Sequence, residues 1–324
     1  MLNSAIIGLG WWGQRLVQAS QGSKLICFAR GVTLEPELVR DFATERNLAL
    51  GTSYEEVLAD PAIDAVVLAT PHTRHRAMVE AAAAAKKHVQ CEKPFALAKS
   101  DAQAAIAACR RAGVTVGVGQ NFRFLPSIKA FRELIDAGTL GTIMHAEGNY
   151  SHDWLAGQGT EHWRTAPQES RAGGMTGMGI HVLDCFSFLI GPMKRISALS
   201  TDRALKLPTG DTTAALIEFA DGATGTLATT LKTPFMWRVA IYGENIWAES
   251  VSETRLIVHR SKGEPEVMDL PAVNHVALNL DSFARAALGE SKFHIDDAGI
   301  IHTVAALEAV FRSAEANGAW QAVG

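Results

Sequence analysis

Cysteine is scarce in this chain. The four residues Cys27, Cys91, Cys109 and Cys185 lie far apart, with no CxxC pair. Such spacing offers neither a disulfide framework nor a zinc-binding set, so they read as buried thiols in a reducing compartment. Basic runs are also missing. Lysine and arginine total 30 against 34 aspartates and glutamates, and no basic run exceeds two residues. That excludes the electrostatic footprint of a dedicated nucleic-acid binder. No uninterrupted apolar stretch approaches the roughly 20 residues of a membrane span. The opening MLNSAIIGLGWWG has no basic n-region and no cleavage site, so we expect no secretory leader and a cytoplasmic location. What is present is a hydrophobic fraction of 48%, with 28 glycines. A chain of 324 residues has length for two well-buried cores without the help of disulfides or a structural metal.

The first 120 residues alternate short apolar runs with helix-like stretches. Strand-like runs are Ser4 to Ile7, Lys24 to Ala29, Ala65 to Ala69, His88 to Cys91 and Val114 to Val118, with one weak strand left unassigned. Between them, helical patterns cover Gln14 to Ser20, Pro36 to Asn47, Thr73 to Lys86 and Ser100 to Ala112, the last opened by a Ser100/Gln103 capping-box pattern. Apolar strands without alternation, each followed by a helix, indicate a parallel sheet covered on both faces. After Phe122 the pattern changes. A helix over Pro126 to Ala137 precedes longer, partly alternating segments: Thr142 to Tyr150, Thr212 to Phe219, Ala223 to Leu231, Trp237 to Tyr242 and Thr254 to His259. Asp221-Gly222 between two of them is a hairpin signal. A helical pattern returns at Ile295 to Ala316. The expected architecture is α/β: a parallel-sheet domain over 1–122, then an α+β domain over 123–324 with mostly antiparallel strands.

Gly8-Leu9-Gly10-Trp11-Trp12-Gly13 follows the first strand and precedes a helix, the setting of the GxGxxG dinucleotide fingerprint. Gly8 allows the tight turn, Gly10 lets the backbone approach a pyrophosphate, and Gly13 lets helix and strand pack closely. The helix N-terminus presents free N–H groups to the phosphates, with Trp11 and Trp12 beside them. At the end of the second strand, where an acid would read the ribose 2′-hydroxyl of NAD, the sequence has Arg30, followed by Gly31 and Thr33. A guanidinium suits a 2′-phosphate, so the expectation is NADP, with NAD possible.

Two further stretches resemble a known family. Thr70-Pro71-His72-Thr73-Arg74-His75, and then Lys87 to Pro94 with Glu92-Lys93-Pro94, are similar to the TP-x-x-x-H and Glu-Lys-Pro segments of the glucose–fructose oxidoreductase, inositol dehydrogenase and rhizopine-catabolism (Gfo/Idh/MocA) family. Trp163-Arg164, Gly173-Gly174 and Gly179-Ile180-His181-Val182-Leu183-Asp184 resemble its later GG…DxGxHxxD segment. The resemblance implies a dinucleotide-binding Rossmann domain over 1–122 and, over 123–324, an α+β domain with a large, mostly antiparallel open sheet for substrate binding and oligomerisation. It also implies an NAD(P)-dependent oxidoreductase acting on a sugar, a cyclitol or a related polyol or keto-sugar, working as a homodimer or homotetramer.

Lys93 matches the family lysine that contacts both the reacting hydroxyl and the nicotinamide ribose; an ammonium there stabilises a developing oxyanion. His181 matches the general acid or base, since an imidazole titrates near working pH. Asp184, three residues on, shares its helix face and is expected either to orient His181 or to bond substrate. Thr70, Pro71, His72, His75 and Glu92 are expected to line the cofactor. His72 and His75 lack carboxylate or thiolate companions at metal-ligand spacing, so no metal is expected. Substrate-binding candidates are Asn121 and Arg123, then His152, Asp153, Trp154, Trp163 and Arg164, whose aromatic faces and polar groups suit a polyhydroxylated ligand. One position departs from the family: Gly177 stands where it usually has an aspartate, which points to an altered substrate. Two other classes fit the same residues. One is an enzyme that retains its nicotinamide and performs net epimerisation, elimination or hydrolysis; the other is a cofactor-binding sensor or subunit.

Overall fold

The computed structural model describes residues 1–158 and 162–324, which divide into two compact units. The first comprises 1–121 and 274–301, the second 122–273 and 302–324.

The first unit is built from β1 (Leu2–Ile7), α1 (Trp11–Ala19), β2 (Ile26–Val32), α2 (Arg40–Glu45), β3 (Ala49–Gly51), α3 (Tyr54–Ala59), β4 (Ala65–Leu68), α4 (His75–Ala84), β5 (His88–Cys91), α5 (Lys99–Ala112) and β6 (Val116–Val118). The strands form one parallel sheet in the order β3-β2-β1-β4-β5-β6. The strand missing from the apolar pattern is β3, whose three residues are only partly covered. β4 reads AVVL and is buried throughout, as a strand covered on both faces must be. The expected Ser100 cap is not used: α5 begins one residue earlier, at Lys99, with Ala98 as N-cap and no side-chain cap bond. Its other end follows the expected chemistry, since Gly113 takes the left-handed conformation that stops the helix.

Residues 274–301, assigned to the second domain by the sequence pattern, belong to this first unit. The helix His275–Ala287 places Val276, Leu280, Phe283 and Ala284 on one stripe, and all four join the core formed with Leu2, Ile6, Ile26 and Phe28. The reason is physical: the stripe needs an apolar partner, and the first sheet supplies it. Gly117 of β6 leaves room for Phe283, and Asn279 bonds both the Gln90 amide at 2.7 Å and the Val118 carbonyl at 3.2 Å.

The second unit holds α6 (Pro126–Asp136), β7 (Ile143–Ser151), α7 (Gly179–Leu189), β8 (Met193–Thr201), β9 (Thr212–Phe219), β10 (Thr224–Thr230), β11 (Met236–Gly243), β12 (Trp247–Ser250), β13 (Arg255–His259) and β14 (Glu266–Asp269). With α8 as the helix His275–Ala287 just described, the chain ends in α9 (Asp297–Glu315), which begins in the first unit and continues in the second, and β15 (Gln321–Ala322). Nine strands make one sheet in the order β14-β13-β12-β11-β7-β10-β9-β8-β15, antiparallel except for β7 beside β10. Asp221-Gly222 turns β9 into β10, with Gly222 at φ +99°. Alternate residues of β9 are buried, while Leu216, on the opposite face from them, is exposed. Helix α7 is apolar enough to be buried along nearly all its length, and Gly148 of β7 lets it approach closely, since a Cβ there would strike Val182. Among the described residues no helix is long and apolar enough to cross a membrane.

Candidate functional site

The glycines after β1 each answer a different constraint. Gly8 sits at φ +96°, and a Cβ on it would strike the Ala69 carbonyl; a Cβ on Gly13 would strike the Gly8 carbonyl. Gly10 is different. Its backbone (φ −63°, ψ −176°) suits any residue, and a Cβ would meet nothing within 4 Å. Packing therefore does not require glycine there; open space at the start of α1 is what a pyrophosphate needs. Three buried polar atoms lack a protein partner among the described residues and fit the same reading: Trp12 Nε1 in the first turn of α1, and Gln120 Oε1 and Asn121 Oδ1 just beyond β6. Such atoms are costly to leave unpaired, and a polar ligand relieves the cost. Trp11 is 63% exposed. The residues present fit a dinucleotide.

Arg30 is not at the end of β2. The strand runs on to Val32, with an extra residue at Ala29 where Ser4 faces Phe28 and Ala5 faces Arg30. The Arg30 guanidinium is held by Asp60 at 3.3 Å and Glu56 at 3.5 Å. Asp60 also offers its carbonyl to Lys87, which precedes β5, while the guanidinium lies 3.5 Å from where a Cβ on Gly51, the last residue of β3, would stand. The expectation that Arg30 closes β2 is corrected accordingly, since the strand ends at Val32. The residue that follows β2 is Thr33, tied by its N–H to the Gly51 carbonyl and by its hydroxyl to the Glu35 N–H.

At the carboxyl edge, the turns after β4 and β5 lie side by side, since Leu68 faces Cys91. Thr70 and Pro71 are half-buried and His72 is buried. His75 is fully buried, with Nδ1 2.8 Å from the Pro94 carbonyl and Nε2 3.0 Å from the Thr70 carbonyl. It is therefore a bridge between two loops and does not line a cofactor, a correction that follows from its burial. Glu92 is buried and accepts the Lys93 N–H at 3.2 Å. Lys93 is half-buried, and the Lys93–Pro94 peptide is cis.

In the second unit, His181 lies in the first turn of α7, 6% exposed, with its backbone N–H on the Met178 carbonyl at 3.0 Å. Its ring stacks on Phe122 with centroids 4.0 Å apart, and Tyr150 stands 6.0 Å away. Trp237 closes on both Phe122 and Tyr150, its indole N–H donating to Ser250. Burial, reinforced by Glu253, pushes the Tyr150 phenol up to about 12, so it stays protonated at neutral pH. Phe122, Tyr150 and Trp237 were not singled out in the sequence. Phe122 follows β6 and Tyr150 stands near the end of β7, but Trp237 is the second residue of β11, and no local motif ties the three to His181. Gly177 is exposed, and a Cβ there would meet nothing within 4 Å.

Asp184 does share a helix with His181, but its carboxylate turns elsewhere. Arg123 grips it through Nε at 2.9 Å and Nη2 at 2.7 Å, and Thr303 adds a hydroxyl at 3.3 Å. The pair is 10% and 1% exposed, and Arg123 also lies over Phe188. Asp184 and Arg123 thus form a two-point ion pair whose carboxylate is buried. The remaining candidates gather in one loop region. Arg164 stacks on Trp163 at 4.1 Å and lies 5.7 Å from Trp154, while His162 sits between the two indoles. Burial, then the Arg164 charge, hold His162 below the usual imidazole range. His152 packs edge-on to Tyr150, joining this region to the surroundings of His181, and Asp153 is exposed.

Comparison with known proteins agrees with this arrangement of a nucleotide turn, an Glu-Lys-Pro loop and an open antiparallel sheet. The model of the oxidoreductase family with NAD-binding Rossmann fold matches residues 2–120, and that of the GFO/IDH/MocA C-terminal domain matches 128–249. The chain belongs to the Gfo/Idh/MocA family of NAD-binding oxidoreductases. It is 32% identical to 2,7-anhydro-N-acetylneuraminate hydratase of Escherichia coli over 59% of this chain, and it spans about half that relative's length (50%). It is 28% identical to levoglucosan dehydrogenase of Pseudarthrobacter phenanthrenivorans over 71% of this chain and 67% of that protein. A solved levoglucosan dehydrogenase complex with NADH and L-sorbose superimposes with a TM-score of 0.90 at 21% identity, covering 100% of this chain and 99% of that one.

Proposed function

We propose that the protein is an NAD(P)-dependent dehydrogenase or reductase that acts on a CH–OH group of a sugar, a cyclitol or a related polyol or keto-sugar. The observation that carries this reading is Lys93, a half-buried ammonium on the loop after β5, at the carboxyl edge of the sheet whose first turn is the open glycine turn at Gly10. Ligands of open α/β sheets gather at that edge. When bound, the nicotinamide takes up or returns the hydride. The N–H groups at the start of α1 hold the pyrophosphate in the space that Gly10 leaves open. Lys93 meets the charge that builds on the reacting oxygen, and its ammonium is worth most where water is excluded. His181 carries the hydroxyl proton, held in place by the stacked Phe122 ring. The Trp154, Trp163 and Arg164 group supplies aromatic faces and donors to a polyol, and the open space at Gly177 admits a substituent where the family's acid would stand.

For the cofactor, the support for NADP is now the absence of an acid directly after β2. Thr33 there does not repel a 2′-phosphate, so NADP(H) is accepted, and we read it as preferred to NAD(H). A second reading is favoured by the relative named a hydratase: the nicotinamide is retained and the net reaction is not redox. Sugars, sugar acids, inositols and anhydro-sugars offered with NADP⁺ and NAD⁺ test the first reading at the nicotinamide absorbance. Lys93→Met and His181→Ala should each lower kcat by about 100-fold or more, with cofactor affinity held within a few-fold. Near-normal turnover in both would refute the assignment. Substrate consumed with no net absorbance change would favour the second reading.

A further inference from the structure

We infer that His75 is a positioning residue for Lys93: it fixes the Glu-Lys-Pro loop against the turn after β4 by donating to one carbonyl on each. The inference rests on the reading of Lys93 given above.

The geometry is specific. His75 is the first residue of α4, so its backbone is set by a regular element rather than by a loop. Its ring spans from Thr70, two residues beyond β4, to Pro94, three residues beyond β5. Both partners are carbonyl oxygens, which can only accept, so the two bonds form together only in the imidazolium, with a proton on each ring nitrogen. No water competes, because the side chain has no exposed surface. Lys93 is thereby held on both sides: its own N–H is bonded to Glu92, and the carbonyl of the next residue is bonded to His75. Glu92 is anchored in turn, its N–H donating to the Leu68 carbonyl of β4 at 2.9 Å. A side chain with no donor at position 75 removes both bonds and frees the backbone one residue from the ammonium. A displacement of about 1 Å at such a site costs up to about 100-fold in rate.

Two substitutions of similar volume separate a donor from a filler. His75→Leu fills the space and donates nothing; His75→Gln carries two N–H donors on one amide. The first readout needs neither cofactor nor turnover: the rate of Lys93 acylation by acetic anhydride, measured by mass spectrometry against the exposed Lys24 and Lys292 of the same unit. We expect His75→Leu to change the Lys93 rate about threefold or more relative to the two references, and His75→Gln to restore it to within about twofold. In turnover, His75→Leu should lower kcat about tenfold or more with little change in cofactor KM, and His75→Gln should recover most of it. An unchanged Lys93 rate in His75→Leu overturns the inference, as does a glutamine variant that behaves like the leucine variant. If the leucine protein does not fold, the glutamine variant alone decides, and a Lys93 rate outside twofold of wild type overturns it. If Lys93→Met keeps normal turnover, the functional reading fails, while the acylation result still stands on its own.

Discussion

Replacing Asp184 by asparagine removes one charge from the pair with Arg123 while keeping the side-chain shape. The asparagine oxygen can accept one of the two guanidinium bonds, but its amide then turns a donor toward the other. One charge-assisted bond is lost, and Arg123, only 10% exposed, keeps a charge with no counterpart in the pair. A charged hydrogen bond contributes roughly 1.5–3 kcal/mol, and breaking a buried pair costs roughly 3–5 kcal/mol, so we take about 3 kcal/mol. For a unit of this size that corresponds to a fall in Tm of about 6–12 °C. Thermal unfolding followed by circular dichroism measures it, and steady-state turnover at 20 °C, well below the transition, should stay within about threefold of wild type. The double replacement Arg123→Met with Asp184→Leu should recover much of the lost stability, because an apolar pair of similar volume no longer buries an unmatched charge. A variant whose Tm moves by less than about 1 °C while turnover collapses would show the carboxylate to be chemical rather than structural, and the argument from geometry would be wrong.

Gly10→Ala should leave Tm unchanged, since the backbone angles suit alanine and its Cβ meets nothing, yet weaken dinucleotide binding about tenfold or more in a fluorescence titration. Arg30→Ala should lower stability without altering the NADPH-to-NADH affinity ratio, whereas Thr33→Asp should shift that ratio toward NADH about tenfold or more; a ratio that moves with Arg30 instead would restore the arginine to the cofactor. Asp211 organises the loop after β8: its Oδ2 accepts the N–H groups of Arg203, Ala204 and Leu205 at 2.9, 2.5 and 3.0 Å. Burial alone would raise its carboxyl, but these backbone donors outweigh it and hold the group below the usual carboxylate range. Its contribution is therefore complete above the unfolded value near pH 4 and is lost as pH falls through the lower folded value. Asp211→Ala should cost about 3 kcal/mol in urea denaturation at pH 7, with the gap to wild type narrowing below about pH 4.

The parallel sheet was legible because its strands carry a signal that survives without tertiary context. AVVL is a short apolar run between helical stretches, HVQC is a short β-prone one, and Gly8, Gly10 and Gly13 punctuate the first of the turns. Strands β8, β12 and β14 were not legible, and their composition explains why: MKRISALST and EVMD mix charged and apolar residues without strict alternation. Helix α8 carries a clear stripe at Val276, Leu280, Phe283 and Ala284, but periodicity tells which face is buried and says nothing about the surface that buries it. The site divides in the same way. Gly10 and Lys93 were found through local motifs, whereas the tie between Arg123 and Asp184 joins residues 61 positions apart, and neither residue type announces whether it faces a ligand or a partner. Arg30 was misplaced by the extra residue in β2, which moves the end of the strand to Val32.

The return of residues 274–301 to the first unit has a consequence for synthesis on the ribosome. Ser23 bonds Asp281, 258 positions later, and Gln90 bonds Asn279, 189 positions later. The core around Leu2, Ile6 and Phe28 therefore stays open on one side while the following hundred and more residues are made, and it closes only when α8 emerges. The nucleotide-binding half is begun first and finished late, so a fragment ending at residue 121 lacks part of its own interior.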